Sequence, residues 1–186
     1  MKPSIDLASR SPRRRSLLEA AGFEVFSVSG RPEPELVPGD AKAAAIASAL
    51  AKLPLRAAET RPLLAADTVV ALGTNLFGKP QGREAAEAML TTLSGQCHQV
   101  ITAVALRYRS QERVFAVTSH VTFRPLSKAT VQHYLDCGEY KDKAGAYGIQ
   151  GLGVSLVESV SGSYSNVVGL PLTEVLDHLQ GLACDS

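Results

Sequence analysis

Two long strand-like runs, Gln99 to Arg109 and Arg113 to Arg124, constrain the fold more than any other feature. In the second run Phe115, Val117, Val121 and Phe123 fall on one side, with Thr118, His120 and Thr122 on the other. That is the period-2 pattern of a strand with one buried face. Joined by a short connection, the runs predict a long β-hairpin. Helical patterns precede and follow it. The expected class is therefore α/β, with a mixed sheet containing a long antiparallel hairpin and flanking helices.

The rest of the chain alternates around that hairpin. Ser4 to Ser9 reads as a short strand. Ser11 is a good N-cap, Pro12 suits the first helical position and Gly22 follows the last turn, so residues 12 to 21 are expected to be helical, with Leu17, Leu18 and Ala21 inward. Phe23 to Val28 is a second strand, followed by a Pro-rich loop from Arg31 to Pro38. Asp40 can cap an alanine-rich helix reaching about Leu53. Leu63 to Asp67 and Val69 to Leu72 read as strands around a turn, and Gly73-Thr74-Asn75 as a hairpin connection. Ala86, Met89, Leu90 and Leu93 recur at helical spacing. Ser127 can cap a helix that Gly138 ends. Val154 to Val160 reads as a strand, Val167-Val168 as a short apolar strand, and Leu172, Val175, Leu176 and Leu179 as a last amphipathic helix. No linker or repeat divides the chain, so residues 1–186 are expected to form a single domain.

Charge narrows the function. The chain carries 19 Lys plus Arg against 18 Asp plus Glu, a formal net charge of +1. There is no bulk electrostatic case for a nucleic-acid or membrane partner, and any basic site must be local. The longest apolar stretch, Ala43 to Ala51 interrupted by Ser48, is far shorter than the roughly 20 residues of a membrane span. The N-terminus lacks the apolar core of a signal peptide. Cys97, Cys137 and Cys184 make neither a zinc pattern nor a disulfide framework and read as reduced thiols of a cytoplasmic protein.

Several segments carry chemistry. Ser9-Arg10-Ser11-Pro12-Arg13-Arg14-Arg15 lies between a strand and a helix N-terminus. Three arginines there oppose the helix dipole, unless an anion is bound by the free N–H groups and the guanidinium groups together; otherwise it is a solvated basic turn. Asp67, read as ending an apolar strand, suits a general base or metal ligand, or an Asx turn. Glu33 and Glu35 lie in the Pro-rich loop, either as cation ligands or as solvated side chains. Lys52 and Lys79 are single lysines that position alone does not distinguish from solvated ones. The segment Asp142-Lys143-Ala144-Gly145-Ala146-Tyr147-Gly148-Ile149-Gln150-Gly151-Leu152-Gly153 has four glycines in nine residues, implying positive φ or close approach. It matches neither the P-loop nor the dinucleotide fingerprint. The Gln150 amide offers a donor and an acceptor, which complement the N3–H and a carbonyl of uracil or thymine. Gly162-Ser163-Tyr164-Ser165-Asn166 reads as a turn.

Taken together and in order, Ser9-Arg10-Ser11-Pro12-Arg13-Arg14, the Asp67 turn, Lys79-Pro80, Leu93-Ser94-Gly95 and the Asp142 to Gly151 segment resemble the Maf-like nucleotide pyrophosphatases. The resemblance runs from about Ile5 to Leu179, and Tyr147-Gly148-Ile149-Gln150-Gly151 looks like the branch acting on dTTP and UTP. It implies a fold shared with inosine triphosphate pyrophosphatases, with two lobes around a cleft. The implied reaction converts a nucleoside triphosphate and water to nucleoside monophosphate and pyrophosphate, with a divalent metal, normally Mg²⁺, and a role in nucleotide-pool cleaning. By motif, Asp67 would be the general base and a metal ligand, with Glu33 helping to hold the metal. Arg13, Lys52 and Lys79 would contact the triphosphate, and Ser9, Arg14 and Lys143 belong to the same substrate site. Arg13, Thr68 and Gln150 match positions associated with base selection. The resemblance also implies a homodimer.

The sequence departs from the family pattern in places. Arg10 stands where a small residue is usual. Lys52 lies in Leu50-Ala51-Lys52-Leu53, where Arg-Glu-Lys-Ala is usual. The loop Gly-Arg-Pro-Glu-Pro-Glu has proline where a second acid often sits, so which of Glu33 and Glu35 meets the metal stays open. Two other functions compete: the same reaction on another base, such as 7-methyl-GTP, and a non-catalytic nucleotide- or nucleic-acid-binding regulator.

Overall fold

The computed structural model describes residues 2–32, 39–55 and 58–184, and the side chains of all of these but the last two. The expected hairpin is its spine. β5 (Cys97–Tyr108) and β6 (Gln111–Phe123) pair antiparallel along their whole length, from Cys97 opposite Thr122 to Tyr108 opposite Gln111. Five further strands join them: β1 (Ser4–Leu7), β2 (Glu24–Ser27), β3 (Leu63–Leu72), β4 (Asn75–Phe77) and β7 (Val157–Ser161). The order is β2-β1-β3-β5-β6-β7, with β1 parallel to β2 and β3, and β4 antiparallel to β3. This is the expected mixed α/β sheet.

Helices cover both faces: α1 (Pro12–Ala20), α2 (Ala41–Lys52), α3 (Arg83–Leu93), α4 (Lys128–Asp136), α5 (Tyr164–Val168) and α6 (Leu172–Cys184). The caps read from sequence are in place. Ser11 Oγ accepts from Arg14 N, Asp40 Oδ1 from Lys42 N at 2.8 Å, and Ser127 Oγ from Thr130 N at 3.1 Å. On one face the alanines of α2 meet alanines of the sheet; Ala45, Ala49, Ala65, Ala103 and Ala105 are all fully buried in one cluster. Small residues on both sides bring α2 close to β3. On the other face Leu18, Leu64, Leu106 and Leu170 join β1, α1 and the start of α6. A third cluster, with Leu90, Phe123, Tyr134 and Tyr147, sits under α3 and α4.

Three expectations are corrected. Leu63 to Leu72 is one continuous strand with no turn at Thr68, because β5 pairs with it through Asp67–Ala103 and Thr68–Thr102. The polar Asp-Thr pair interrupts the apolar pattern, not the strand. Val167-Val168 lies in the short helix α5, whose Ser163 cap accepts from Asn166 N at 3.2 Å. The strand expected from Val154 begins only at Val157, after a 3₁₀ segment over Gly151–Leu156.

One topological feature creates the site. β1 pairs with β3 only at Leu63 and Leu64, and β4 pairs with it only from Val70 to Leu72. The β3 edge between them, around Ala66 to Thr68, has no strand neighbour. Consecutive residues point to opposite faces of a strand, so Asp67 turns toward α2 and Thr68 toward α1. At an open edge both reach the same cleft.

Candidate active site

That cleft has a volume of about 1470 Å³. Among the described residues, eight lysines and arginines line it against two aspartates, Asp67 and Asp142, an excess of six positive charges in a chain of net charge +1. The basic site is therefore local, as the charge balance required.

On its floor stands Asp67, 6% exposed, held by Lys52 Nζ on its Oδ1 at 2.5 Å. Lys52 is the last residue of α2, and the close packing of that alanine-rich helix delivers it to the odd-numbered face of β3. A buried carboxylate needs a counter-charge, since an unpaired one is costly in a low-dielectric setting. The unusual residues around Lys52 leave this pairing intact.

Arg14 fills the missing strand position. Its Nη1 donates to the Ala66 carbonyl at 2.8 Å and to Ser9 Oγ at 3.2 Å, its Nη2 to Thr68 Oγ1 at 3.0 Å, and its Nε to the Gly169 carbonyl at 2.8 Å. The guanidinium thus ties the Ser9 turn, the open edge of β3 and the end of α5 together. Behind Thr68 a polar chain crosses the sheet. Thr68 and Thr102 share a hydrogen bond of 2.9 Å, Thr102 Oγ1 donates to the Asn166 carbonyl, and Asn166 Nδ2 donates to Val100 O and Ser119 Oγ, each at 3.0 Å. Thr102, Ser119 and Asn166 are fully buried. These buried hydrogen bonds, together with the one from Arg14, fix Thr68 in one position.

The three arginines of α1 do not converge as expected. Arg13 faces the cleft and Arg14 is the strut just described. Arg15 turns away, donating to Val25 O at 2.8 Å and Ser27 Oγ at 2.6 Å and pairing with Glu19. Its neighbours are the edge of β2 and Glu19 of its own helix, and it does not line the cleft.

The glycine-rich segment forms the opposite wall, and the close approach expected of it is present. A Cβ at Gly153 would lie 1.9 Å from the Gly148 carbonyl oxygen, so only glycine closes this loop. Gly148 N donates to Tyr134 Oη at 3.3 Å, and Leu152 N to Glu139 Oε1 at 3.1 Å. Tyr147 turns its hydroxyl into the core, sharing a hydrogen bond of 2.7 Å with His98 Nε2, while both rings stand edge-on to Phe123. Burial lowers the His98 pKa to about 4 and pushes the Tyr147 phenol up, so both are neutral near pH 7. Gln150 is exposed at the rim of the cleft.

All nine expected site residues in the described chain line this cleft: Ser9, Arg13, Arg14, Lys52, Asp67, Thr68, Lys79, Lys143 and Gln150. Glu33, expected to help hold a metal, and Glu35 lie outside the described residues. Sequence reasoning missed Arg31, Lys141 and the Asn166 network. The signal for Asn166 was present in Ser163-Tyr164-Ser165-Asn166, a cap motif read as a turn. The expected thiols Cys97 and Cys137 are free, and Cys184 is a residue whose side chain is not described. No described helix is long and apolar enough to cross a membrane.

The family model described as "Maf-like protein" matches residues 4–182. A protein of Myxococcus xanthus named dTTP/UTP pyrophosphatase is 47% identical over 178 residues, covering 94% of this chain and 90% of its own. Proteins of the same name from Alkalilimnicola ehrlichii and Thermus thermophilus are each 44% identical, covering 99% and 94% of this chain and 95% and 92% of their own. The solved structure of the Staphylococcus aureus Ham1 protein overlaps 64% of this chain and 71% of its own at 15% identity, with a TM-score of 0.43, too slight an overlap to argue from.

Proposed function

The chain belongs to the Maf-like family, and from that premise we propose that it hydrolyses dTTP and UTP to the nucleoside monophosphate and pyrophosphate. The observation that carries the reading is a buried carboxylate, Asp67, at the floor of a cleft where cations outnumber carboxylates eight to two among the described residues. A nucleoside triphosphate carries about four negative charges near neutral pH, and only a locally cationic site compensates them.

In this reading the triphosphate lies along the cations, with Arg13, Lys79 and Lys143 facing its oxygens. Asp67 accepts the proton of a water that attacks the α-phosphorus. Lys52 orients that carboxylate and adds positive charge near the reacting phosphoryl group. Arg14 and Ser9 fix the turn against which the phosphates rest. Thr68, held by Thr102 and Arg14, and Gln150 face the base, and the Gln150 amide can pair with the N3–H and a carbonyl of a pyrimidine.

The donor set fits a divalent cation that arrives with its substrate. No group of three His, Cys, Asp or Glu side chains able to hold a metal is found among the described residues. Mg²⁺ needs only one or two carboxylates beside phosphate oxygens and waters. Asp67 would supply one hard oxygen ligand, and Glu33 is the second that the family resemblance implies. The ion would neutralise charge on the phosphoryl oxygens and the leaving pyrophosphate.

A panel of dTTP, UTP and 7-methyl-GTP, with and without Mg²⁺, tests the assignment. Metal-dependent pyrophosphate release from the first two, well above the third, is expected. Preference for 7-methyl-GTP would overturn the base assignment, and orthophosphate release the reaction.

A further inference from the structure

One acidic residue in the cleft has no part in the scheme above. Asp142 stands in the 3₁₀ turn Glu139–Asp142, on the wall opposite α1. Its Oδ2 accepts from Arg13 Nη1 at 3.2 Å, and its Oδ1 from Lys143 Nζ at 2.8 Å. The first bond joins residues 129 positions apart in sequence and spans the cleft from wall to wall. Lys143 is held in place from the other side as well, since its Nζ also donates to the Glu139 carbonyl. Its stem runs against Gly148, where a Cβ would lie 2.6 Å from Cε.

We infer that Asp142 is a built-in counter-anion: its carboxylate occupies, in the free protein, the two cations that a polyphosphate must take over, and it competes with bound pyrophosphate for them. The inference rests on the proposed phosphate site. The arrangement has the chemistry of a displaceable ligand. A carboxylate presents two oxygens to a guanidinium and an ammonium much as a phosphate would. Asp142 is 57% exposed on its side chain, against 23% for Arg13 and 13% for Lys143, so the acid can swing to solvent while the cations stay. Burial alone would raise its carboxyl pKa, but the Lys143 hydrogen bond and the Arg13 charge outweigh that and hold it below the ordinary value. The residue therefore stays charged in neutral solution and repels an incoming phosphate until its own cations are surrendered.

The consequence is specific to the reaction. Arg13 and Lys143 would grip substrate and product pyrophosphate alike, and a tightly held product limits turnover. Asp142 weakens both grips and favours release once the α-phosphoryl bond is broken.

Calorimetric titration of the full chain with pyrophosphate and Mg²⁺ tests this directly. Asp142→Asn keeps the shape and removes the charge. It is expected to bind pyrophosphate about two- to fivefold more tightly, the scale of a partly exposed ion pair. The gain should shrink as salt is raised, which a loosened loop would not produce. Asp142→Glu restores the charge and should return affinity toward that of the natural protein. Unchanged or weaker binding by Asp142→Asn, or a gain that salt does not affect, would overturn the inference. Because binding is read without turnover, a failed nucleotide assignment and a failed counter-anion are told apart. Tighter pyrophosphate binding with no triphosphate hydrolysis leaves the inference standing alone, while hydrolysis with unaltered binding removes only the inference.

Discussion

In the proposed reaction Asp67 is central because of how its two oxygens are used. Lys52 holds one, and the other side of the carboxylate opens to the cleft, where a water can be placed. Asp67→Asn keeps an amide oxygen for Lys52 to donate to but cannot take a proton from water. Turnover is expected to fall at least ~100-fold, the low end of what a general base contributes, in a protein that still folds. Near-normal turnover would take Asp67 out of the mechanism. The sequence made this residue visible through its apolar surroundings, yet placed it at a strand end. Asp-Thr breaks the run of apolar residues, and only the pairing of Asp67 with Ala103 and Thr68 with Thr102 across β5 reveals one strand. Arg15 was unreadable for a related reason. Its partners, Val25 O and Ser27 Oγ, are brought near by the β1–α1–β2 fold and leave no mark on local sequence.

At the scale of elements, the wall formed by residues 142–153 depends on backbone contact more than on side chains. Gly153→Ala would drive a methyl group into the Gly148 carbonyl. We expect a destabilisation of about 1–3 kcal/mol, typical of overpacking, together with loss of discrimination between pyrimidine and purine triphosphates, because Gln150 rides on the displaced loop. Denaturant unfolding and the substrate panel read the two effects. If unfolding is unaffected and selectivity holds, the close approach has no functional weight. The density of glycines announced such contacts, though not their partners. The hairpin was legible because its second arm alternates and its first is a long, nearly continuous apolar run. α5 was not, because Val167-Val168 is apolar in any conformation and five residues are too few to show helical period.

For the whole molecule, acid should act through the core beneath this wall. The folded-state pKa of His98 is about 4, below its ordinary value of 6.5. Between those values the unfolded chain binds a proton that the folded chain excludes, so stability falls as pH drops from about 6.5 to 4 and is indifferent to this residue above that window. The lowered Asp142 carboxyl works in the same direction further down, its contribution lost as pH falls below the ordinary carboxylate value. Urea unfolding at pH 7, 6 and 5 should show declining stability. His98→Gln should flatten the decline, and an unaltered slope would show that His98 is not its source. The general arrangement of sheet and helices followed from sequence pattern, and a cleft from the family resemblance alone. The cleft itself arises from something no pattern carries, the stretch of β3 edge that neither β1 nor β4 covers and that Arg14 bridges. What tests the account most directly is where water attacks. Hydrolysis of dTTP in ¹⁸O-water, followed by mass spectrometry of both products, should place the label in dTMP and leave pyrophosphate unlabelled. Label in pyrophosphate, or in released orthophosphate, would contradict attack at the α-phosphorus beside Asp67.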